Sequence, residues 1–313
     1  MIKKATKKAF LQGYRKILRS ARGFRFYNSV YEVNWLPTPV RNLLVLSNCH
    51  IQADELGSSQ YTLSLIRNGL RVDLPPIQTL SHWQFVQSYR WATPFYVELI
   101  RRLLAHYPSG LWIDIGANQG IRCLDAHDAG WQVWAYEPNA EALSFYRELL
   151  QRNSWLNRPG DRQVQAAVGD KESELMVDID ASSYLSSVSG VDKPEGFEIA
   201  RSETVQCLRM DRQFERWQAE ISSAFAKVDV EGFEVAVLEG FGSSLSQLRA
   251  LLVEVTRSSV VPVSSMLESA GFQLLFIDER YHKLTPGPNA VLPQHGTFDL
   301  LAWPQALPLP SIL

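Results

Sequence analysis

Lys227, Asp229 and Glu231 alternate with Val228 and Val230 in the stretch FAKVDVEGFEVAVLEGF, residues 225–241. On an extended strand every second side chain points the same way, so the three charges are expected on one face. Central strands of a parallel sheet are apolar on both faces. A lone buried carboxylate is costly unless it is paired. A lysine between two acids offsets part of that cost. This points to a reaction site at the carboxyl end of the strand, where an acid can take up a proton. Gly232 then permits a tight turn into the next helix. Glu254, near the end of ALLVEVTR, can line the same crevice. Asp229, Glu231 and Glu254 together would also offer hard oxygen ligands, but no metal is assigned. The six histidines show no ligand spacing.

A second group of residues lies in WIDIGANQG, residues 112–120. A dinucleotide fold places G-x-G-x-x-G after its first strand. Counted from Gly116, that pattern needs glycine at 118 and 121, where the chain has Asn118 and Ile121. The S-adenosylmethionine loop, an acid followed by alternate glycines, fits better. Asp114, Gly116 and Gly120 fall in register, with Ala117 between them and Asn118 in place of the middle glycine. Asparagine enters the left-handed backbone region more readily than most residues. The cofactor has no pyrophosphate, so bare backbone at this position is less necessary. Glu137 closes the next strand and can accept the two ribose hydroxyls. Pro138 stops that strand, and Asn139 is placed to cap the following helix. Ala166 and Ala167, in QAAVGD, offer small residues against which an adenine ring could lie.

These turns need strand ends to carry them. From residue 110 onward strand and helix patterns alternate, which implies an α/β fold with a mostly parallel sheet. Strands are predicted over 111–115, 132–137, 163–168, 225–230, 250–255, 272–277 and 297–303. Helices are predicted over 119–129, 139–152, 233–240 and 262–270. An insertion over 170–224 should add strands and a loop above the carboxyl edge of the sheet. Upstream, residues 40–51 read as a buried strand, and 61–75 as a hairpin around Asn68-Gly69. Residues 81–106 read as one or two helices broken near Pro94. Two regions are therefore expected: a basic helix and α+β cap over 1–95, and the catalytic domain over 96–313.

The composition allows such an architecture. The chain has 313 residues, 46% of them hydrophobic and 20% charged, and its apolar runs are too short to span a membrane. The three cysteines, Cys49, Cys123 and Cys207, are far apart, which fits a reducing, cytoplasmic compartment without a disulfide framework. Residues 1–25 hold nine Lys or Arg and no acid, leaving 22 basic against 33 acidic residues in the rest. Phe10, Tyr14, Ile17, Leu18 and Ala21 share a helical face, so this head could pack on its own domain or touch a membrane surface peripherally. A small-molecule or glycan acceptor is expected, and no nucleic acid.

The stretches WIDIGANQG, WAYEPNAEAL, QAAVGDKESELMV, TVQCLRMDRQFE and FAKVDVEGFEVAVLEGF, in this order, resemble the FkbM-type S-adenosylmethionine-dependent methyltransferases. The resemblance runs from about 110 to 275. It implies the class I, Rossmann-like methyltransferase fold with a seven-stranded sheet, and O-methylation of a hydroxyl on a sugar, glycolipid or polyketide-type product. It also implies that Asp114, Gly116, Asn118, Gly120 and Glu137 hold the cofactor, and that Lys227, Asp229 and Glu231 sit at methyl transfer. Asp229 or Glu231 would be the general base, with Lys227 holding the neighbouring acid ionised or orienting the acceptor. Ser182 and Ser183 would belong to a small-residue loop over the substrate. Thr256 departs from the family, where histidine is frequent. Two rivals remain at this level: an NAD-linked reductase, against which the missing glycines count, and a non-catalytic scaffold of the same fold.

Overall fold

The computed structural model describes residues 49–55, 61–67, 70–76, 81–82, 85, 94–180, 185–191, 193, 197–278, 283–287 and 297–309. The chain divides into two compact units, Met1–Ile77 and Gln78–Leu313. In the first, β1 (Cys49–Glu55), β2 (Tyr61–Arg67) and β3 (Leu70–Asp73) form an antiparallel sheet in that order. Arg67 pairs with Leu70 across residues 68–69, the two-residue connection that Asn-Gly predicts. Leu70 and Val72 are buried and Arg71 exposed, the period of a half-buried strand. The strand expected over 40–51 is described only from Cys49, where β1 begins. The basic segment 1–25 lies outside the described residues.

The second unit carries the main sheet. Helix α1 (Pro94–His106) starts at the proline itself, since a first-turn proline loses no intrahelical bond. The sheet has eight strands in the order β14-β13-β15-β12-β11-β4-β5-β6. They are β4 (Leu111–Ile115), β5 (Gln132–Tyr136), β6 (Arg162–Val164), β11 (Ala224–Val228), β12 (Ala250–Val255), β13 (Phe272–Asp278), β14 (Lys283–Pro286) and β15 (Phe298–Pro304). β4, β5, β6, β11 and β12 are parallel, while β15 pairs antiparallel with both β12 and β13, and β14 pairs antiparallel with β13 at the edge. The crossovers use α2 (Ile121–Asp128), α3 (Ala140–Arg152), α5 (Glu234–Phe241) and α6 (Val260–Ser269). After β4 the chain winds outward to β6 and returns to β11 on the other side of β4. That reversal leaves a crevice beyond the carboxyl ends of β4 and β11, where ligands bind in open α/β sheets.

Three expectations about this region are corrected. The sheet has eight strands rather than seven, because β14 adds an antiparallel edge to β13. The strand expected over 163–168 is broken. Its first part is β6, and its second, β7 (Ala167–Val168), pairs with β10 (Ile199–Leu208) in a separate sheet. That four-stranded sheet, in the order β7-β10-β8-β9, includes β8 (Ser173–Asp180) and β9 (Ser186–Val188). The insertion also holds a helix, α4 (Met210–Trp217), which buries Met210, Gln213 and Phe214. Its short apolar period is masked by four charged residues in eight. Among the described residues no helix is long and apolar enough to cross a membrane.

The central strands β4 and β11 are buried throughout, with Trp112, Ile113, Phe225 and Val228 in the core. Asp114 and Lys227 are the charged residues on these two strands and are themselves buried. They meet side by side, since Lys227 pairs with Asp114 in the β11–β4 register.

Candidate active site

The turn after β4 is built from left-handed backbone. Gly116, Asn118 and Gly120 have φ of 80°, 52° and 76°. A Cβ on Gly116 would lie 1.8 Å from the Asp229 carbonyl oxygen, so the loop lies flush against the chain leaving β11. A Cβ on Gly120 would lie 2.2 Å from the ring of Tyr146. Gly116 and Ala117 donate their N–H groups to the Tyr136 carbonyl at 2.9 and 3.0 Å. Asn118 donates its backbone N–H to Glu137 Oε2 at 2.8 Å.

Glu137 stands at the end of β5 and is 3% exposed. Its Oε1 accepts from the Asn139 N–H at 2.8 Å and from Ser186 Oγ at 3.1 Å. Burial raises its proton affinity to a pKa of about 7, against the pull of these donors. Asn139 caps α3 as expected, accepting from the N–H groups of Glu141 and Ala142.

The charged stretch is less regular than alternation predicts. β11 ends at Val228, so Asp229 and Glu231 lie beyond the strand rather than on its face. Asp229 still donates its N–H to the Ile115 carbonyl at 3.0 Å. Glu231 has φ of 54°, in the left-handed region, and Gly232 follows at 105°. Two side chains hold this turn: Glu234 Oε1 accepts the Gly232 N–H at 2.8 Å, and Ser187 Oγ donates to the Glu231 carbonyl at 2.9 Å.

Lys227 Nζ lies 2.9 Å from Asp229 Oδ2 and 3.6 Å from Asp114 Oδ1. Burial works against its charge, but the two carboxylates overcome this and hold it protonated. Burial likewise opposes ionisation of Asp229, and Lys227 reverses the effect, so Asp229 stays ionised. Asp229, Glu231 and Glu254 bring carboxylate oxygens within 4.8 Å of one another. Burial and the Asp229 charge push the Glu254 carboxyl well above the usual range, so it keeps a proton, and Thr297 Oγ1 donates to it at 2.7 Å. Burial, then Asp229 and Glu234, raise Glu231 to about 7. The three acids could hold a divalent cation. A protonated Glu254 and a charged Lys227 balance the same charges without one.

Asp114, Gly116, Ala117, Asn118, Glu137, Pro138, Ala167, Lys227, Asp229, Glu231 and Glu254 all line one cavity of about 290 Å³. Gly120 instead seats the amino end of α2. Ser182 and Ser183 lie outside the described residues. Their near neighbours Ser186 and Ser187 line the cavity, Ser186 donating to the Glu137 carboxylate and Ser187 to the main-chain carbonyl of Glu231. They belong to the same serine-rich stretch, whose register is decided by the pairing of β9 with β8. Arg122, Phe233 and Val177 also line the cavity without any distinguishing pattern in the sequence.

The sequence profile described as the methyltransferase FkbM domain matches residues 114–274, just over half of the chain. Among curated proteins, none matches the sequence. Solved structures with a similar chain path include a precorrin-6y C5,15-methyltransferase from Geobacter metallireducens, with 14% identity, 67% of this chain and 87% of that one covered, and a TM-score of 0.35. An S-adenosylmethionine-dependent O-methyltransferase from Thermotoga maritima has 13% identity, 79% coverage of both chains and a TM-score of 0.36. The N-terminal domain of human METTL16 has 16% identity, 76% coverage of both chains and a TM-score of 0.38.

Proposed function

The chain belongs to the FkbM methyltransferase family, and from that premise we propose that it methylates a hydroxyl oxygen of a sugar, glycan or polyketide-type acceptor. S-adenosylmethionine supplies an activated methyl group on a sulfonium. The residues present fit it. The cradle at Gly116, which a Cβ would fill, and the left-handed Asn118 would take its methionine part. Glu137 would accept from the ribose hydroxyls, and Ala166 and Ala167 would lie against the adenine.

The observation that carries the reading is the contrast between two neighbouring acids. Asp229 is held ionised by Lys227 and is a weak base. Glu231, with its pKa raised to about 7, has a proton affinity matched to neutral pH. A hydroxyl is a poor nucleophile until its proton starts to leave, so Glu231 takes that proton as general base. Asp229 accepts from the acceptor without taking its proton, and Lys227 keeps Asp229 charged. Positioning in the shared cavity supplies much of the remaining acceleration. Five carboxylates and two cations line this cavity, a balance that disfavours a phosphodiester backbone and supports a small-molecule or glycan acceptor.

The test is Glu231→Gln. It should bind S-adenosylhomocysteine as the parent does and lose methyl transfer by about 10²–10⁴-fold, measured by product mass on a panel of glycans and hydroxylated metabolites. Full transfer in this variant would remove Glu231 from the chemistry.

A further inference from the structure

We propose that Ser187 is a positioning residue: by holding the peptide group between Glu231 and Gly232, it keeps the Glu231 carboxylate at the reaction cavity. The proposal rests on the reading of Glu231 as general base. That peptide group is gripped at both ends. Ser187 Oγ donates to the Glu231 carbonyl at 2.9 Å, and the Gly232 N–H donates to Glu234 Oε1 at 2.8 Å. The carbonyl and the N–H belong to one rigid plane, so the two contacts together fix its orientation. They come from different elements, β9 and α5. The grip is needed because the turn does not support itself. Glu231 has φ of 54°, a region that residues other than glycine, asparagine and aspartate seldom enter. Such a conformation persists only where its surroundings impose it. Gly232, at φ of 105°, offers little steric resistance to rotation of the plane. If the plane turned over, φ of Glu231 would have to leave the left-handed region, and its side chain would swing away from Asp229 and Glu254.

Ser187 is itself held in place. It is buried and pairs with Asp178 where β9 meets β8. Lys193 Nζ donates to the Ser187 carbonyl at 3.3 Å and to the Val188 carbonyl at 2.5 Å, and lies 3.2 Å from Asp178 Oδ2. Asp178 Oδ1 accepts from Ser189 Oγ at 2.7 Å and from Ser202 Oγ at 2.6 Å. The Ser187 hydroxyl is therefore carried by a pinned strand. The adjacent Ser186 Oγ donates to Glu137, so β9 spans from the acid at the end of β5 to the turn after β11. Glu231 sits among charged groups: Asp229 and Lys227 from the end of β11, Glu234 from α5 and Glu254 from β12. Its carboxylate keeps a raised proton affinity only while it stays buried among them, so loss of the grip has a signature in its titration.

The test titrates the Glu231 carboxyl by carbon NMR in the full chain, labelled at the glutamate carboxyl carbon, with EDTA present. The resonance is assigned by its loss in Glu231→Gln. The parent midpoint should be about 7. Ser187→Ala should bring it down toward the ordinary value of 4.5, and Ser187→Thr, which keeps the hydroxyl, should restore it. A midpoint near 4.5 already in the parent, or one unchanged in Ser187→Ala, would overturn the proposal. Methyl transfer should fall about 5–10-fold in Ser187→Ala, as loss of one hydrogen bond allows. Added to Glu231→Gln, the same substitution should cost nothing further, because the two residues act as a unit. An equal loss in both backgrounds would overturn the proposal and assign Ser187 to general support of the cavity. Variants are compared at matched S-adenosylhomocysteine binding, so that a folding defect is not mistaken for either effect. Full transfer in Glu231→Gln would sink the general-base reading, a result distinct from a Ser187→Ala variant that titrates like the parent.

Discussion

Glu231 and Asp229 are two residues apart, of similar chemistry, and differ in proton affinity because their neighbours differ. Lys227 is within 2.9 Å of Asp229, whereas Glu231 faces Asp229 and Glu234 and is raised to about 7. A general base must be ionised to act, so kcat/KM should rise about tenfold per pH unit below about 7 and level off above it. A flat profile from about pH 5 to 8 would exclude Glu231 as the base. The residue types were legible in the sequence, since K-x-D-x-E-G is unusual on a buried strand. Which acid has the higher proton affinity was not legible, because burial and neighbouring charges set the pKa, and those come from β12, the turn and α5.

The loop over 116–120 is the element that could be read most directly. Its conformation is local, and local backbone demands select residue types. Asn118 at φ 52° does what glycine does in the common form of the loop, and its backbone N–H reaches Glu137. Asn118→Gly should therefore bind S-adenosylhomocysteine within a few-fold of the parent. Asn118→Val should bind far more weakly, because a β-branched residue resists the left-handed region. A weak Asn118→Gly variant would show instead that the side-chain amide makes an essential contact. The break between β6 and β7 was harder to read. QVQAAV has strand character throughout, and only the presence of β10 as a partner draws Ala167 and Val168 into the second sheet. Ser186 and Ser187 were likewise four residues away from the serines singled out, because hairpin register depends on pairing.

At the scale of the whole molecule, the site costs stability. Glu137, Glu231 and Glu254 all have raised proton affinities, largely through burial. For Glu231 the ordinary value is 4.5 and the folded value about 7. Its contribution to stability is therefore full below about pH 4.5 and is lost as pH rises through 7. In the absence of cofactor, Glu231→Gln should melt a few degrees above the parent at about pH 8 and close to it at about pH 5. A gain that persists unchanged at the lower pH would point to packing rather than ionisation. Such a gain in the variant that loses transfer would be the usual conflict between stability and a working site.

The sequence by itself determined the α/β class, most strand positions, the left-handed turn over 116–120, the acid Glu137 at the end of β5 and the family. Each follows from residue types acting within a few positions of one another: alternation, helical period, and glycine or asparagine where φ is positive. Only the tertiary structure decided that β4 and β11 lie side by side, which brings Asp114, Lys227 and Asp229 into one buried charge network. It also brought Arg122 and Ser186–Ser187 to the same cavity as Glu137 and Glu231. Proton affinities and ligand contacts arise from groups far apart in the chain, and their distances exist only once the sheet has closed the gap.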